Sequence, residues 1–206
     1  MNIALLGATG RVGSEILSLA LPDHRVKSLV RDSSKVTKGN HPHLTLKEGN
    51  ALNKLDLIKT IKNADVVISA LNTDGENVLS ETMPLIIESM KQHDVKRLIT
   101  IGTAGILQSR TEPHLYRFQS SESKRRSTRA AEDHLKAYLM LQESDLHWTI
   151  VCPTYLPDGE RTETYRFEKD VLPEGGVKIT VGDTADFAYK QLHDSSFIGS
   201  RVGLSY

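Results

Sequence analysis

Three glycines stand close together near the start of the chain, in the run Gly7-Ala8-Thr9-Gly10-Arg11-Val12-Gly13. Each position of this GxxGxxG spacing has its own use. The first glycine allows a tight turn from strand to helix. The second lets the backbone approach a pyrophosphate with no side chain in the way, and the third lets the helix pack close on the sheet. The N–H groups and positive dipole end of the helix that follows would then face the anion. The pattern also occurs in plain strand-turn-helix units. Its weight comes from its place, directly after the apolar run at 3–6 and directly before an amphipathic stretch.

A second group of residues, Val30-Arg31-Asp32-Ser33-Ser34-Lys35, stands at the end of the next strand candidate, 24–30. A carboxylate at this point suits the ribose 2′-OH of NAD(H), whereas an arginine suits the 2′-phosphate of NADP(H). Arg31 occupies the expected position, and Ser33, Ser34 and Lys35 could add donors. Asp32 keeps NAD(H) open as the alternative. The reading is therefore NADP(H) first and NAD(H) second. No metal is expected: His41-Pro42-His43 supplies two nitrogens without a third ligand in view. The single cysteine, Cys152, excludes an internal disulfide framework and a multi-cysteine site. Cys152 reads as a buried strand-end thiol and Trp148 as core packing.

These residues need elements to position them. Residues 3–6 are a continuous apolar run, as a strand buried on both faces requires, and Asp65-Val66-Val67-Ile68-Ser69 reads as another buried strand. Residues 24–30, 44–47, 97–101 and 146–151 read as further strands. Helical spacing marks 11–21 through Val12, Ile16, Leu19 and Ala20, and 53–62 through Leu55, Ile58 and Ile61. It also marks a stripe of Leu79, Met83, Ile86, Ile87 and Met90, which Pro84 either opens or kinks. Another helix, 130–143, shows Ala131, Leu135, Tyr138 and Leu139 on one face. Such alternation predicts an α/β fold, a parallel sheet with helices on both sides and right-handed crossovers. The polar stretch 104–128 reads as a lid or a disordered loop, with Lys124-Arg125-Arg126 as a solvated face. Towards the end, 162–167, 177–181 and 201–205 read as short strands and 183–193 as a helix.

The 206 residues suit one domain, 1–206. Lys plus Arg and Asp plus Glu are 26 each, so the formal charge is zero. That argues against a general nucleic-acid binder, which needs a basic surplus. No stretch approaches the roughly 20 apolar residues of a membrane span, and no targeting segment precedes the first strand. The expectation is a cytoplasmic protein, mature from Met1, with no membrane or nucleic-acid partner.

The motifs GATGRVG (7–13), LVRDSSKV (29–36), ADVVISAL (64–71) and SDLHWTIVCPTYL (144–156) resemble the atypical short-chain dehydrogenase/reductases. Within these, the chain is most similar to the NAD(P)H-binding, NmrA-like group that includes the flavin reductase/biliverdin reductase enzymes. The likeness runs from residue 1 to about 195 and is weakest at 104–128. It implies a Rossmann-like doubly wound sheet with a small C-terminal substrate-side region. It also implies that Gly7, Thr9, Gly10, Arg11 and Val12 line the pyrophosphate and that Arg31 meets the 2′-phosphate. Asn50 and Ala51 would lie near the adenine, and Ala70 and Leu71 would border the ribose. Thr103 would stand near the nicotinamide, which Pro153, Thr154 and Tyr155 would cover.

The departures from that pattern carry information. The Tyr-xxx-Lys acid pair of typical short-chain dehydrogenases is absent, because Tyr138 is followed four residues on by Gln142. Tyr165 and Lys169 have the spacing but fall in an extended segment, where the match is a coincidence. His134 stands where relatives carry a lysine or histidine and has a pKa range suited to proton transfer. A helix histidine with no catalytic part is the other reading. Tyr155 replaces a histidine of the flavin reductases and leaves a phenol that could donate a proton or stack on a ring. The function expected is an NADPH-dependent reductase passing a hydride to a small-molecule acceptor such as a flavin, quinone or carbonyl compound. Thr103, Tyr155 and His134 are its candidate catalytic residues, and the protein would act as a monomer or homodimer. The alternative is a non-catalytic NADP(H)-binding redox sensor of the NmrA-like type, with 104–128 as a partner surface. An epimerase or dehydratase comes last.

Overall fold

The apolar run after Asn2 is buried because it forms a strand with parallel neighbours on both sides, β1 (Asn2–Leu6). A computed structural model of the chain describes residues 1–73, 77–124 and 126–206. It continues with β2 (Arg25–Val30), β3 (Leu44–Glu48), β4 (Val66–Ser69), β5 (Arg97–Ile101), β6 (His147–Pro153), β7 (Arg166–Lys169) and β8 (Ser200–Ser205). One eight-stranded sheet results, in the order β3-β2-β1-β4-β5-β6-β8-β7. Every pairing is parallel except that of β7 with β8.

Among the described residues five helices cover the sheet: α1 (Arg11–Ala20), α2 (Lys54–Ile61), α3 (Val78–Gln92), α4 (Arg129–Gln142) and α5 (Val181–Lys190). Strand residues alternate between two cores. Ile3 and Leu5 pack with Ile16, Leu17 and Phe187 on the side of α1 and α5. Ala4 and Leu6 pack with Leu57, Ile61, Ile86 and Leu141 on the side of α2, α3 and α4. This is the parallel sheet with helices on both sides that the alternation predicted, in the Rossmann-like doubly wound form that the resemblance implied. The strand order reverses at β1, between β2 and β4. A crevice for a ligand forms at such a switch point, outside the carboxyl ends of the strands.

Several expectations need correction. The stripe read on α2 places Leu55 inside, but Leu55 is exposed and Leu57 is fully buried with Ile61. On α4, Leu139 is exposed and Leu141 is buried. Pro84 lies inside α3, which runs eight residues beyond it. The stretch 104–128 forms neither a lid nor a disordered loop in its described part. Ile106, Leu107 and Phe118 are buried, and two 3₁₀ turns form at Ala104–Ile106 and Arg117–Gln119. Arg117 N–H donates to Leu107 O at 2.7 Å and Gln108 N–H to Asp170 O at 2.8 Å. The buried guanidinium of Arg201 donates to Ile106 O, and its carbon stands 4.5 Å from the Tyr138 ring centre. Three apolar anchors thus hold a segment whose polar majority hides them. Of the basic triplet, Lys124 and Arg126 are exposed, and Arg125 lies outside the described residues.

The tail differs as well. Residues 162 and 163 form no ladder, because their backbone N–H groups donate to the Asp183 carboxylate at 2.7 and 2.8 Å. The strand begins only at Arg166. Residues 177–181 are not a strand: a single bridge joins Lys178 to Tyr155, and Val181 already opens α5. Tyr165 donates to Asp186 Oδ2 at 2.6 Å, and Lys190 sits 5.7 Å over its ring centre. Burial and the Asp186 bond push the Tyr165 phenol well above its ordinary value. Lys169 lies exposed on β7. The Tyr165/Lys169 spacing therefore carries no acid pair.

Asp133 holds the start of α3 in place from α4. Its carboxylate is 1% exposed and accepts from Leu79 N and Ser80 N, both at 3.0 Å, and from Ser80 Oγ at 2.6 Å. No capping bond comes from α3's own N-cap, Asn77. Asp133→Ala removes the cap and leaves buried donors unpaired, at a cost of about 3 kcal/mol. Thermal unfolding should show a Tm lower by roughly 6–12 °C. A change under about 2 °C would mean that the cap is dispensable.

His24 is buried where the ends of α1 and α5 meet. It lies 3.4 Å from both the Met1 ammonium and Tyr189 Oη, and its ring centre is 5.9 Å from that of His193. Burial, the Met1 charge and His193 hold its pKa below the usual 6.5, against a smaller opposing pull from Asp23. Below about pH 6.5 the unfolded chain therefore binds the proton more readily than the native one, and stability falls as the pH drops through that value. A denaturant midpoint series from pH 7.5 to 5 should decline in the wild type and flatten in His24→Gln. Equal slopes in the two proteins would refute this.

Candidate functional site

Gly7 ends β1 with φ +85°, in the left-handed region that suits glycine. Its N–H side of the turn closes through Gly10 N–H donating to Gly7 O at 3.0 Å. A Cβ on Gly7 would lie 2.5 Å from Ala70 O, and one on Gly13 would lie 2.0 Å from Gly7 O. The loop, the first turn of α1 and the end of β4 therefore touch through backbone. Val12 packs in the core beneath. No side chain caps α1 at Gly10, and its first turn carries no acid. The first turn of α1 thus keeps its N–H groups without a side-chain cap or a nearby acid, the condition that an anion site at a helix start needs.

A cavity of about 500 Å³ opens above this turn. Its lining includes Gly7, Thr9 and Gly10 of the glycine turn, Arg31 after β2, Asn50 and Ala51 after β3, and Ala70 and Leu71 after β4. This lies within the range of small-molecule and cofactor pockets. Arg31 thus lines the same cavity as the glycine turn. Asp32 and Ser34 do not line the cavity. The Asp32 carboxylate caps the 3₁₀ turn Ser33–Lys35, accepting from Ser34 N at 3.0 Å and Ser34 Oγ at 2.6 Å, which holds its pKa below the usual range. Asp32 is therefore committed to its own loop.

Glu48, which the sequence did not single out, fixes that loop from β3. It accepts from Ser33 N at 3.1 Å and Ser33 Oγ at 2.5 Å, and these bonds hold its pKa down. The only sequence signal for it was a carboxylate at the end of an edge strand. Asn50 caps its own turn by accepting from Leu52 N at 3.0 Å.

The remaining candidates lie apart from this cavity. Arg11 turns across to the segment after β6, donating to Leu156 O at 3.0 Å and Asp158 Oδ1 at 2.9 Å. It ties the glycine-turn helix to that segment. Pro153 ends β6 and is buried. Tyr155 follows it and is 69% exposed, and its carbonyl accepts from Ile179 N at 3.0 Å. Thr103 follows β5 and caps the turn Ala104–Ile106 by accepting from Gly105 N at 3.3 Å. His134 borders a crevice of about 10 Å³ between α3, α4 and β5, with Thr100, Gly102 and Tyr138. That is room for a single water at most. Cys152 beneath is fully buried, which pushes its thiol up to about 12. It is inert as a nucleophile. Among the described residues no group of three or more His, Cys, Asp or Glu side chains gathers as metal ligands. Nor is any described helix long and apolar enough to cross a membrane.

A family model described as NAD(P)H-binding matches residues 7–195. The chain belongs to the NAD(P)H-binding family. It is 29% identical over 194 residues to the uncharacterized protein YwnB of Bacillus subtilis, covering 90% of this chain and 89% of that one. A crystal structure from Bacteroides thetaiotaomicron, of a protein provisionally named an epimerase, is 28% identical with TM-score 0.87, over 100% of this chain and 96% of that one. A short-chain dehydrogenase/reductase from Veillonella parvula in complex with NADP shares the fold at 20% identity and TM-score 0.79, over 100% and 94% of the two chains. This chain of the NAD(P)H-binding family thus shares the fold of those structures, and its glycine turn, uncapped helix and adjoining cavity fit a dinucleotide.

Proposed function

We propose that the chain is an NADPH-dependent reductase of the NmrA-like, flavin-reductase type, acting on a flavin, quinone or carbonyl compound as a cytoplasmic monomer or homodimer. The observation that carries the cofactor reading is the cavity itself, which Gly7, Thr9 and Gly10 line together with Arg31. The first turn of α1 holds the pyrophosphate, and Arg31 takes the 2′-phosphate that NADH lacks. Asn50 and Ala51 lie beside the adenine, and Ala70 and Leu71 beside the ribose. When bound, NADPH supplies the hydride.

The acceptor lies at the carboxyl ends of β5 and β6. Thr103 and Pro153 border the nicotinamide side, and the exposed Tyr155 ring offers an acceptor a stacking surface. Arg11, tied to Leu156 and Asp158, keeps the segment after β6 against the glycine turn. No described residue pair supplies the tyrosine-lysine acid of typical relatives. Reduced flavins and quinones take their proton from solvent or from the Tyr155 phenol, which suits an open site. His134 lines its narrow crevice, where a single water could relay a proton.

The test is an NADPH oxidation assay with FMN, a quinone series and a carbonyl panel. Turnover with at least one class, slowed by Tyr155→Ala, is the expected result. Tight NADPH binding without turnover on any of them would replace this reading with the redox sensor.

A further inference from the structure

A second cavity, of about 390 Å³, lies at the opposite end of the sheet, against the amino ends of β1, β2 and β3. The strand alternation explains its character. Arg25, Lys27 and Leu29 point to one face of β2, and Leu29 packs on Leu57 and Ile61 of α2. Arg25 and Lys27 continue that row past the end of the apolar core, where α2 stops. The chain leaves α2 through Lys62 and Asn63, the latter at φ +65°. Arg25, Lys27, Lys62 and His43 therefore face one hollow, with Thr45 and Asn2 as neutral polar neighbours.

We infer that this hollow binds a small anion carrying two or more phosphate groups. Its lining contains three fixed cations and no carboxylate. Among the described residues, no acid lies within ion-pair distance of Arg25, Lys27 or Lys62. The neighbouring acid, Asp65, accepts from Asn2 N at 2.7 Å. Lys27, at the floor, donates to Lys62 O at 2.8 Å, so the end of α2 supplies only carbonyl dipoles against its charge. The imbalance registers on Lys27 itself. Burial lowers its pKa, and the charges of Lys47 and Lys62 lower it further. An anion in the hollow would relieve that repulsion. The volume falls at the small end of ligand pockets, which suits a compact phosphate compound over a dinucleotide. The site is distinct from the dinucleotide cavity and does not rest on the reductase reading.

The probe is tripolyphosphate, titrated at constant ionic strength and followed by amide NMR shifts. Saturable shifts are expected at residues 25–27, 43–45 and 60–64. The double variant Arg25→Gln/Lys62→Gln changes two exposed side chains, and its remaining amide shifts report that it is folded. It should weaken the titration at those residues at least about tenfold, since charge-assisted contacts carry the binding. Tripolyphosphate can also occupy the glycine turn, which would be seen as shifts at 7–13. Shifts confined to 7–13, no saturation, or an unchanged titration in the double variant would each overturn the proposal.

Discussion

Gly13→Ala is expected to lower NADPH affinity by at least about 100-fold, or roughly 2.7 kcal/mol, with the sheet still formed. The added methyl has nowhere to go. Its carbon would stand 2.0 Å from Gly7 O and 2.8 Å from Gly7 C, both backbone atoms of the turn, and 3.3 Å from Ala70 Cβ. Gly7 cannot retreat, because its own position at φ +85° lies against the Ala70 carbonyl. The helix must then shift away from the sheet and carry its N–H groups out of register with the cavity. Overpacking of this kind costs about 1–3 kcal/mol of stability, so Tm should also fall by several degrees. Gly39→Ala is the control, since its nearest neighbour would be 3.4 Å away, an ordinary contact. Titration of NADPH fluorescence on the two variants measures the effect. Affinity for Gly13→Ala within about threefold of wild type, under 1 kcal/mol, would mean that the turn does not hold the nucleotide.

Arg31→Ala should separate the two nucleotides. Arg31 lines the cavity that the glycine turn also lines, while Asp32 is engaged with Ser34 and is not among the lining residues. A guanidinium on a 2′-phosphate makes a charge-assisted contact that a 2′-OH cannot match, worth about 1.5–3 kcal/mol. NADPH affinity should therefore fall about 10- to 100-fold and NADH affinity by far less. Competition binding with both nucleotides on the same variant reads the ratio directly. Equal losses would remove Arg31 from the 2′ position and return Asp32 to consideration as the ribose partner.

What was legible in the sequence follows from how each feature is encoded. The buried strands were readable because both of their faces meet helices, so Ile3 to Leu6 and Val66 to Ile68 are apolar without interruption. The glycine turn was readable because backbone contact at Gly7 and Gly13 admits no side chain. Stripe assignments on α2 failed at Leu55 because a three-residue step drifts off the face that a 3.6-residue helix presents. The packing of 104–128 was hidden because three apolar anchors, Ile106, Leu107 and Phe118, are spread through a polar stretch. Their partners, Asp170 and Arg201, come from far along the chain. Asp133 and Glu48 escaped notice for a related reason. A carboxylate that caps another element carries no local signature, since its acceptors' partners are set only by tertiary contact. Arg11 shows the same limit: its motif position was clear, but its bond to Asp158 depends on how the segment after β6 returns over α1.

The most direct test is calorimetric titration of the wild-type protein with NADPH, NADP+ and NADH in the same buffer. A single saturable site for NADPH is expected, with an affinity at least about tenfold above that for NADH, as the proposed contact of Arg31 with the 2′-phosphate requires. No saturable heat with any of the three nucleotides would contradict the assignment of the switch-point cavity as a dinucleotide site.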